Sequence, residues 1–375
     1  MPTEELRAAA VLTSHGVLEP GAVVVDDGLI AEVRPIEPAA SVPARTLVPG
    51  FVDLQVNGHE DVDVASARGG DWDRLDQLLL AHGVTTWCPT LVTAPLERYP
   101  EALDRLAAAA ARPVGRARPE MAGAHLEGPF LGGCPGAHRR EWLQPLDLDW
   151  LGGLPATVAV VTLAPELRGA PEAVSSLVGR GVLASLGHSD ASYDQAVDAV
   201  DAGARLVTHL FNGMAPMHHR APGLVGASLS DERVSVSLIA DLVHVHPALL
   251  RAAFLAKGPG RVALVTDAVA WRAGRVGEVT LELGRDGAPA LADGTLAGSA
   301  LTMDQAVRNC VRAAGLPLRA VVDAAATTPA ALLGLDDRGA LAPGRRADIV
   351  ALSPALDVVG VWVQGRLAWG QGGPE

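Results

Sequence analysis

Eight short apolar runs, FVDLQV, VTTWCPT, MAGAHLEG, VAVVTLAPE, VLASLGHS, RLVTHLFN, VSVSLIADL and VALVTDA, follow one another from residue 51 to residue 268. Runs this short and this continuously apolar predict strands buried on both faces. Between them lie helical patterns such as DWDRLDQLLLAHG and DASYDQAVDAVDAG, opened by acidic residues and closed by glycine. Strands joined through helices pair in parallel, and eight such units close into a (β/α)8 barrel. The pattern changes at both ends. AVVVDDGLIAEVRP near the start and ADIVALSPALDVVGVWVQGRLAW near the end alternate apolar and polar residues, which predicts one small β-sandwich domain assembled from the two termini. The expected architecture is α/β: a TIM-type barrel over residues 49–340, inserted in a small β domain made of residues 1–48 and 341–375. A hairpin-like stretch, GEVTLELGRDGAPALADGTLAG, follows the eighth run before TMDQAVRNCVRAAG returns to helix.

Composition narrows the class. With 375 residues, 49% hydrophobic and 41 glycines, the chain can bury a large core. Thirty Lys and Arg against 43 Asp and Glu leave a formal charge of −13, which argues against nucleic acid or an anionic membrane as the main partner. An anionic substrate then needs a local cationic pocket. Cys88, Cys134 and Cys310 are odd in number and widely separated, so neither a disulfide framework nor a zinc-thiolate site is indicated. The opening MPTEELRAAAVLTSHG has no cationic segment followed by an apolar one, and a soluble cytoplasmic protein is expected.

Chemistry collects at the strand ends. In a (β/α)8 barrel the reactive groups sit at the C-terminal ends of strands, and there the chain carries Gln55, Asn57, Glu127, His188, His209, His244 and Asp267. One carboxylate and two imidazoles from separate strands can make a three-ligand metal site with an open position, and a further aspartate can handle protons. That set predicts a hydrolase. His15 and His82 lack this setting and are expected to be structural or surface residues.

Taken together, VPGFVDLQVNG, AHLEGPFL, SLGHSDASYDQAVDAVDAGARLVTHLFNGMAPMHHRAPGLVG, IADLVHVHP, LVTDA and DGTLAGSALTMDQAVRN resemble, in order, the N-acetylglucosamine-6-phosphate deacetylases of the amidohydrolase superfamily. Superfamily members usually end the first strand with His-x-His, which holds a second metal; here Gln55 and Asn57 stand there, and neutral amides are poor ligands for transition metals. The only lysine, Lys257, precedes the eighth run, so a bridge by a carbamylated lysine at the fourth strand is excluded. One divalent metal per chain is therefore expected, zinc first, with iron, cobalt or manganese also suited to such ligands.

The resemblance implies roles residue by residue. Glu127, His188 and His209 match the metal ligands, Asp267 the catalytic acid/base, and His138 the histidine that binds the sugar and polarises the acetyl carbonyl. Asn212, Gly213 and His244 match substrate contacts. Arg220 matches an arginine that reaches the phosphate from the neighbouring subunit of a homodimer, with His218 and His219 shaping its loop. Two departures stand out. Ala221 occupies a position where an acidic residue is common, and GHEDVDV replaces a Gly-rich turn, placing Glu60, Asp61 and Asp63 near the barrel mouth as an expected solvated acidic loop. The galactosamine isomer thus remains an alternative substrate. Another N-acyl amide hydrolase, or a non-catalytic sugar-phosphate-binding paralogue, comes behind it.

Overall fold

Each of the eight apolar runs contributes a strand to one parallel sheet: β1 (Phe51–Val56), β2 (Val84–Val92), β3 (Ala124–Glu127), β4 (Val158–Leu163), β5 (Leu183–Leu186), β6 (Leu206–Val207), β7 (Ser235–Ile239) and β8 (Val262–Val265). The computed structural model describes residues 3–37, 41–112, 117–284 and 286–370. Neighbours in sequence are neighbours in the sheet. The ring closes where Val56 bridges Ala268 in parallel and the Asp267 N–H donates to the Gln55 carbonyl at 3.0 Å. Below this seam, Asp53 accepts the Thr266 hydroxyl at 2.7 Å and the Gln55 N–H at 3.2 Å. Full burial pushes its carboxyl up to about 7.

A helix follows each strand: α1 (Asp71–Ala81), α2 (Tyr99–Ala110), α3 (Leu148–Gly152), α4 (Ala170–Gly179), α5 (Tyr193–Asp201), α6 (Gly223–Ser230), α7 (Pro247–Lys257) and α8 (Met303–Arg312). Their inner faces follow the helical period: α8 buries Met303, Ala306, Val307 and Cys310. The start of α5 is fixed by a capping box in which Ser192 and Gln195 satisfy each other's backbone N–H. Lys257 closes α7, its Nζ donating to the carbonyls of Ser228 and Asp231.

The termini pair as expected. Thr46–Pro49 lies parallel to Ala10–Thr13 and antiparallel to Ile349–Leu352 inside a six-stranded sheet, beside a three-stranded sheet of Glu4–Ala8, Gly21–Asp26 and Leu29–Pro35. Leu6, Val23 and Ile30 from one sheet share an apolar cluster with Val11, Leu47, Ile349 and Trp362 from the other. Residues 1, 2 and 371–375 of these terminal segments, and Arg285 of the hairpin-like stretch, lie outside the described residues.

That stretch is an insertion between β8 and α8. It forms two small hairpins, Arg275–Val276 with Val279–Thr280 and Glu282–Leu283 with Pro289–Ala290. Val276, Val279, Leu281 and Ala297 make an apolar cluster with Val269, packed against Val92 at the end of β2 and Ala137 in the loop after β3. The insertion is thus a cover over the barrel mouth. GHEDVDV is solvated as expected only at Asp61, because Glu60 and Asp63 anchor this cover. Asp63 is buried and accepts the Gly277 N–H at 2.8 Å and the Ser66 hydroxyl at 2.7 Å. Glu60 pairs with Arg74 and Arg272, and Asp61 lies 3.4 Å from Arg74.

Candidate active site

Glu127 is the last residue of β3, while His188, His209 and Asp267 each lie two residues past the end of β5, β6 and β8. The three latter residues have left-handed backbone, with φ of 50°, 33° and 49°. For non-glycine residues this is unfavourable by on the order of 1 kcal/mol each. The turn breaks the alternation of the strand and leaves all three side chains facing the barrel axis. All four groups are buried.

One carboxylate oxygen and two imidazole nitrogens converge there. Glu127 Oε1 lies 3.1 Å from His188 Nε2 and 2.9 Å from His209 Nε2, and the two Nε2 atoms are 3.1 Å apart. Burial would raise Glu127, but hydrogen bonds and charge from His188 and His209 outweigh it and hold the carboxyl well below its ordinary value. His209 is shifted the other way: burial lowers it, the Glu127 bond outweighs burial, and its pKa is raised. His188 donates Nδ1–H to the Cys134 carbonyl at 3.2 Å, which leaves its Nε2 lone pair free for a cation. Gly213, with φ of 58°, has to be glycine, since a Cβ there would sit 2.7 Å from His188 Nδ1.

By distance alone another trio, Glu127, His138 and His188, also comes within 4.8 Å. Hydrogen bonding separates the two sets. The Thr93 N–H donates to His138 Nδ1 at 3.3 Å, so the ring proton of His138 is on Nε2, which then has no lone pair to give. Burial first, then His188, pushes the His138 pKa down to about 3 and keeps the ring neutral. With His138 set aside on that ground, Glu127, His188 and His209 are the residues that could hold a divalent cation.

Opposite them, donors converge. Gln55 Nε2 lies 2.9 Å from Glu127 Oε1 and 3.0 Å from Asp267 Oδ1, and Asn57 Nδ2 lies 2.7 Å from the same Asp267 oxygen. Carboxylate oxygens require N–H on that side, so the two amides turn their NH2 groups inward. Burial first, and then the Glu127 charge, pushes Asp267 up to about 7.

Asn57, Glu127, His138, His188, His209 and Asp267 line a cavity of about 290 Å³, together with Asn212, Gly213 and His244. The Asn212 amide is held by the carbonyls of His209 and Leu210. His244 Nδ1 lies 2.6 Å from Asp241 Oδ2, and Asp241, pushed up by burial, is brought below its ordinary value by His244. Arg220 stands apart. It is exposed, lies outside the cavity, and rests its guanidinium on His219 Nε2 at 2.9 Å. Sequence reasoning missed Thr93, Arg139 and the cover residues Val276, Val279 and Thr295–Gly298, all of which line the cavity. Thr93 follows the last residue of β2 and was within reach of the strand-end rule, had that run been drawn beyond Thr90.

The amidohydrolase family model matches residues 46–368. The chain belongs to the amidohydrolase family. Within it, this amidohydrolase is 39% identical to an N-acetylgalactosamine-6-phosphate deacetylase of Escherichia coli O157:H7, over 98% of this chain and 99% of that one. It is also 39% identical to an N-acetylglucosamine-6-phosphate deacetylase of Bos taurus, over 97% and 93%. An N-acetyl-D-glucosamine-6-phosphate deacetylase mutant from Mycobacterium smegmatis, solved in complex with N-acetyl-D-glucosamine-6-phosphate, superposes with a TM-score of 0.90 at 36% identity, covering 98% of this chain and 99% of that one. This amidohydrolase is a hydrolase with a group of side chains able to hold a metal. Among the described residues, no helix is long and apolar enough to cross a membrane.

Proposed function

We propose that the enzyme removes the acetyl group of N-acetylglucosamine 6-phosphate, giving glucosamine 6-phosphate and acetate. The observation that carries this reading is the position of Asp267, a buried carboxyl held by two amide donors beside the Glu127, His188 and His209 trio. A divalent cation held by that trio, zinc in the first instance and one per chain, supplies the Lewis acidity that makes water nucleophilic near neutral pH. Asp267 takes the proton of the attacking water and returns it to the nitrogen as the C–N bond breaks. His138 donates from Nε2 to the developing oxyanion. Asn212, Gly213 and His244 contact the substrate.

The phosphate needs a cation. Arginine can bind it through two parallel N–H bonds, and Arg139 is the one arginine lining the cavity among the described residues. Arg220, exposed at the end of its loop, serves the neighbouring site in a homodimer. The enzyme works in the cytoplasm, in keeping with three cysteines that pair with nothing. Its barrel spans residues 49–340, within a β domain of residues 1–48 and 341–375.

The galactosamine isomer stays the second reading because relatives bearing both names are equally similar. Acetate release from the two N-acetylhexosamine 6-phosphates and from unphosphorylated N-acetylglucosamine decides between them, with metal content measured on the same sample. Faster turnover of the galactosamine isomer would reverse the assignment of the sugar. Equal turnover of the unphosphorylated sugar would remove the phosphate from the reading.

A further inference from the structure

We propose that Thr93 is the positioning residue that sets the tautomer of His138, keeping the ring a hydrogen-bond donor toward the substrate and outside the ligand set of the cation. The inference rests on the role given to His138 above.

Two groups of Thr93 meet one nitrogen. Its backbone N–H approaches His138 Nδ1 at 3.3 Å, and its hydroxyl lies 2.8 Å from the same atom. A backbone N–H can only donate, so Nδ1 has to accept, and a proton on Nδ1 would point straight at it. Among the described residues the hydroxyl has one other hydrogen-bond neighbour, the Glu127 carbonyl at 3.4 Å, which is too distant to compete well with a contact of 2.8 Å. Both Thr93 groups therefore hold the ring proton on Nε2. The hydroxyl has room because residue 128 is glycine: a Cβ there would lie 2.2 Å from Thr93 Oγ1.

The alternative tautomer has a clear consequence. His138 Nε2 is 3.8 Å from Glu127 Oε2, and its ring meets that of His188 edge-on at 4.4 Å. With the proton moved to Nδ1, the Nε2 lone pair would face the same space as the ligand atoms. The ring would then be available as a fourth ligand in a site that needs an open position for its substrate. Thr93 separates the two outcomes, a donor to the acyl oxygen or a closed metal site.

The test uses the zinc-loaded enzyme and two variants. Thr93→Val keeps the branched shape and the backbone N–H but loses the hydroxyl, and Thr93→Ser restores it. Long-range 15N–1H spectra of the histidines, with the His138 signals assigned by their loss in His138→Gln, report the tautomer directly. We expect Nε2–H in the wild type and in Thr93→Ser, and in Thr93→Val, where the longer 3.3 Å backbone contact acts without the hydroxyl, a mixture in which Nδ1–H appears. The valine variant should also lose about tenfold in kcat with little change in KM, the low end of what an outer hydrogen-bond partner is worth. A wild-type His138 protonated on Nδ1 would overturn the proposal, and that spectrum is decisive even if the valine variant fails to fold. An unchanged tautomer and kcat in Thr93→Val, or a serine variant as impaired as the valine one, would overturn it equally. Absence of sugar-phosphate turnover in the wild type would defeat the functional reading instead, while the spectra still decide the role of Thr93.

Discussion

Two histidine pairs, each beside a carboxylate, sit in this molecule and have opposite characters. His188 and His209 meet edge-on at 4.8 Å with their planes at 89°, and both Nε2 atoms aim at Glu127 Oε1. His59 and His82 stack at 5.4 Å with their planes at 8°. His82 Nδ1 lies 3.0 Å from Asp304, while neither nitrogen of the buried His59 has a hydrogen-bond partner among the described residues. Residue types alone do not separate the pairs. What separates them is the aim of the lone pairs, which the left-handed backbone at positions 188 and 209 provides. Stacked rings point their nitrogens outward along parallel planes, so the second pair shares no focus. Among the described residues, the group able to hold a metal forms around Glu127 and does not include His59 or His82.

The widest separation between the pairs comes from deleting a member of each. His209→Ala should reduce metal affinity by more than the roughly 10–100-fold that an outer partner is worth, and turnover should fall with it. His82→Ala should leave metal content and turnover within about twofold and lower stability by about 1.5–3 kcal/mol, the value of a hydrogen bond to a charged group. Metal analysis after dialysis, with acetate release, checks both. Retention of metal by His209→Ala would end the distinction between the pairs.

Asp267→Asn comes next, because it leaves the trio intact and removes only the proton carrier. Turnover should drop by about 10²–10⁴-fold with metal content unchanged, and a near-normal rate would take Asp267 out of the mechanism. Its carboxyl, pushed up to about 7 first by burial and then by Glu127, has to be ionised to accept a proton. Activity of the wild type should therefore fall on the acid side, and since a bound cation favours the carboxylate, that limb of kcat/KM should lie below pH 7.

How much of this was legible beforehand follows from where each partner comes from. Glu127, His188, His209 and Asp267 could be found because each ends its own apolar run, so the pattern that predicts the barrel also predicts the site. Gln55 and Asn57 could be read as strand-end amides, but not as the donors that hold Asp267, since their partner lies 210 or more residues away in the chain. Asp63 was misread for the same reason. A carboxylate in a polar loop looks solvated until the Gly277 N–H, more than 200 residues away in the chain on the segment after β8, is known to cover it. The hairpin after β8 could be recognised, but its place over the cavity could not, because an apolar cluster drawn from Val92, Ala137 and Val269 sets it. His59 attracted no attention in GHEDVDV, although burial beside His82 makes it the less comfortable member of its pair.

That discomfort gives the smallest expected effect, and it leaves activity untouched. An unfolded histidine gains a proton as the pH falls through 6.5, whereas burial first, and then the charge of His82, holds His59 down to about 4 in the fold. The folded state thus binds this proton less well. The contribution to stability is intact above 6.5 and is lost progressively as the pH falls toward 4, amounting to about 2 kcal/mol between pH 7 and pH 5. His59→Phe keeps an aromatic ring over His82 and has no proton to gain. Denaturant unfolding at pH 7 and pH 5, with chelator present in both proteins so that metal loss does not enter, should give a pH slope shallower in the variant by that amount, with turnover at pH 7 unchanged. His125, held down to about 4 by burial, and His138, held down to about 3, contribute equally to both proteins and cancel in the comparison. Parallel loss of stability in the two proteins would mean that His59 does not carry the penalty its unpartnered nitrogens imply.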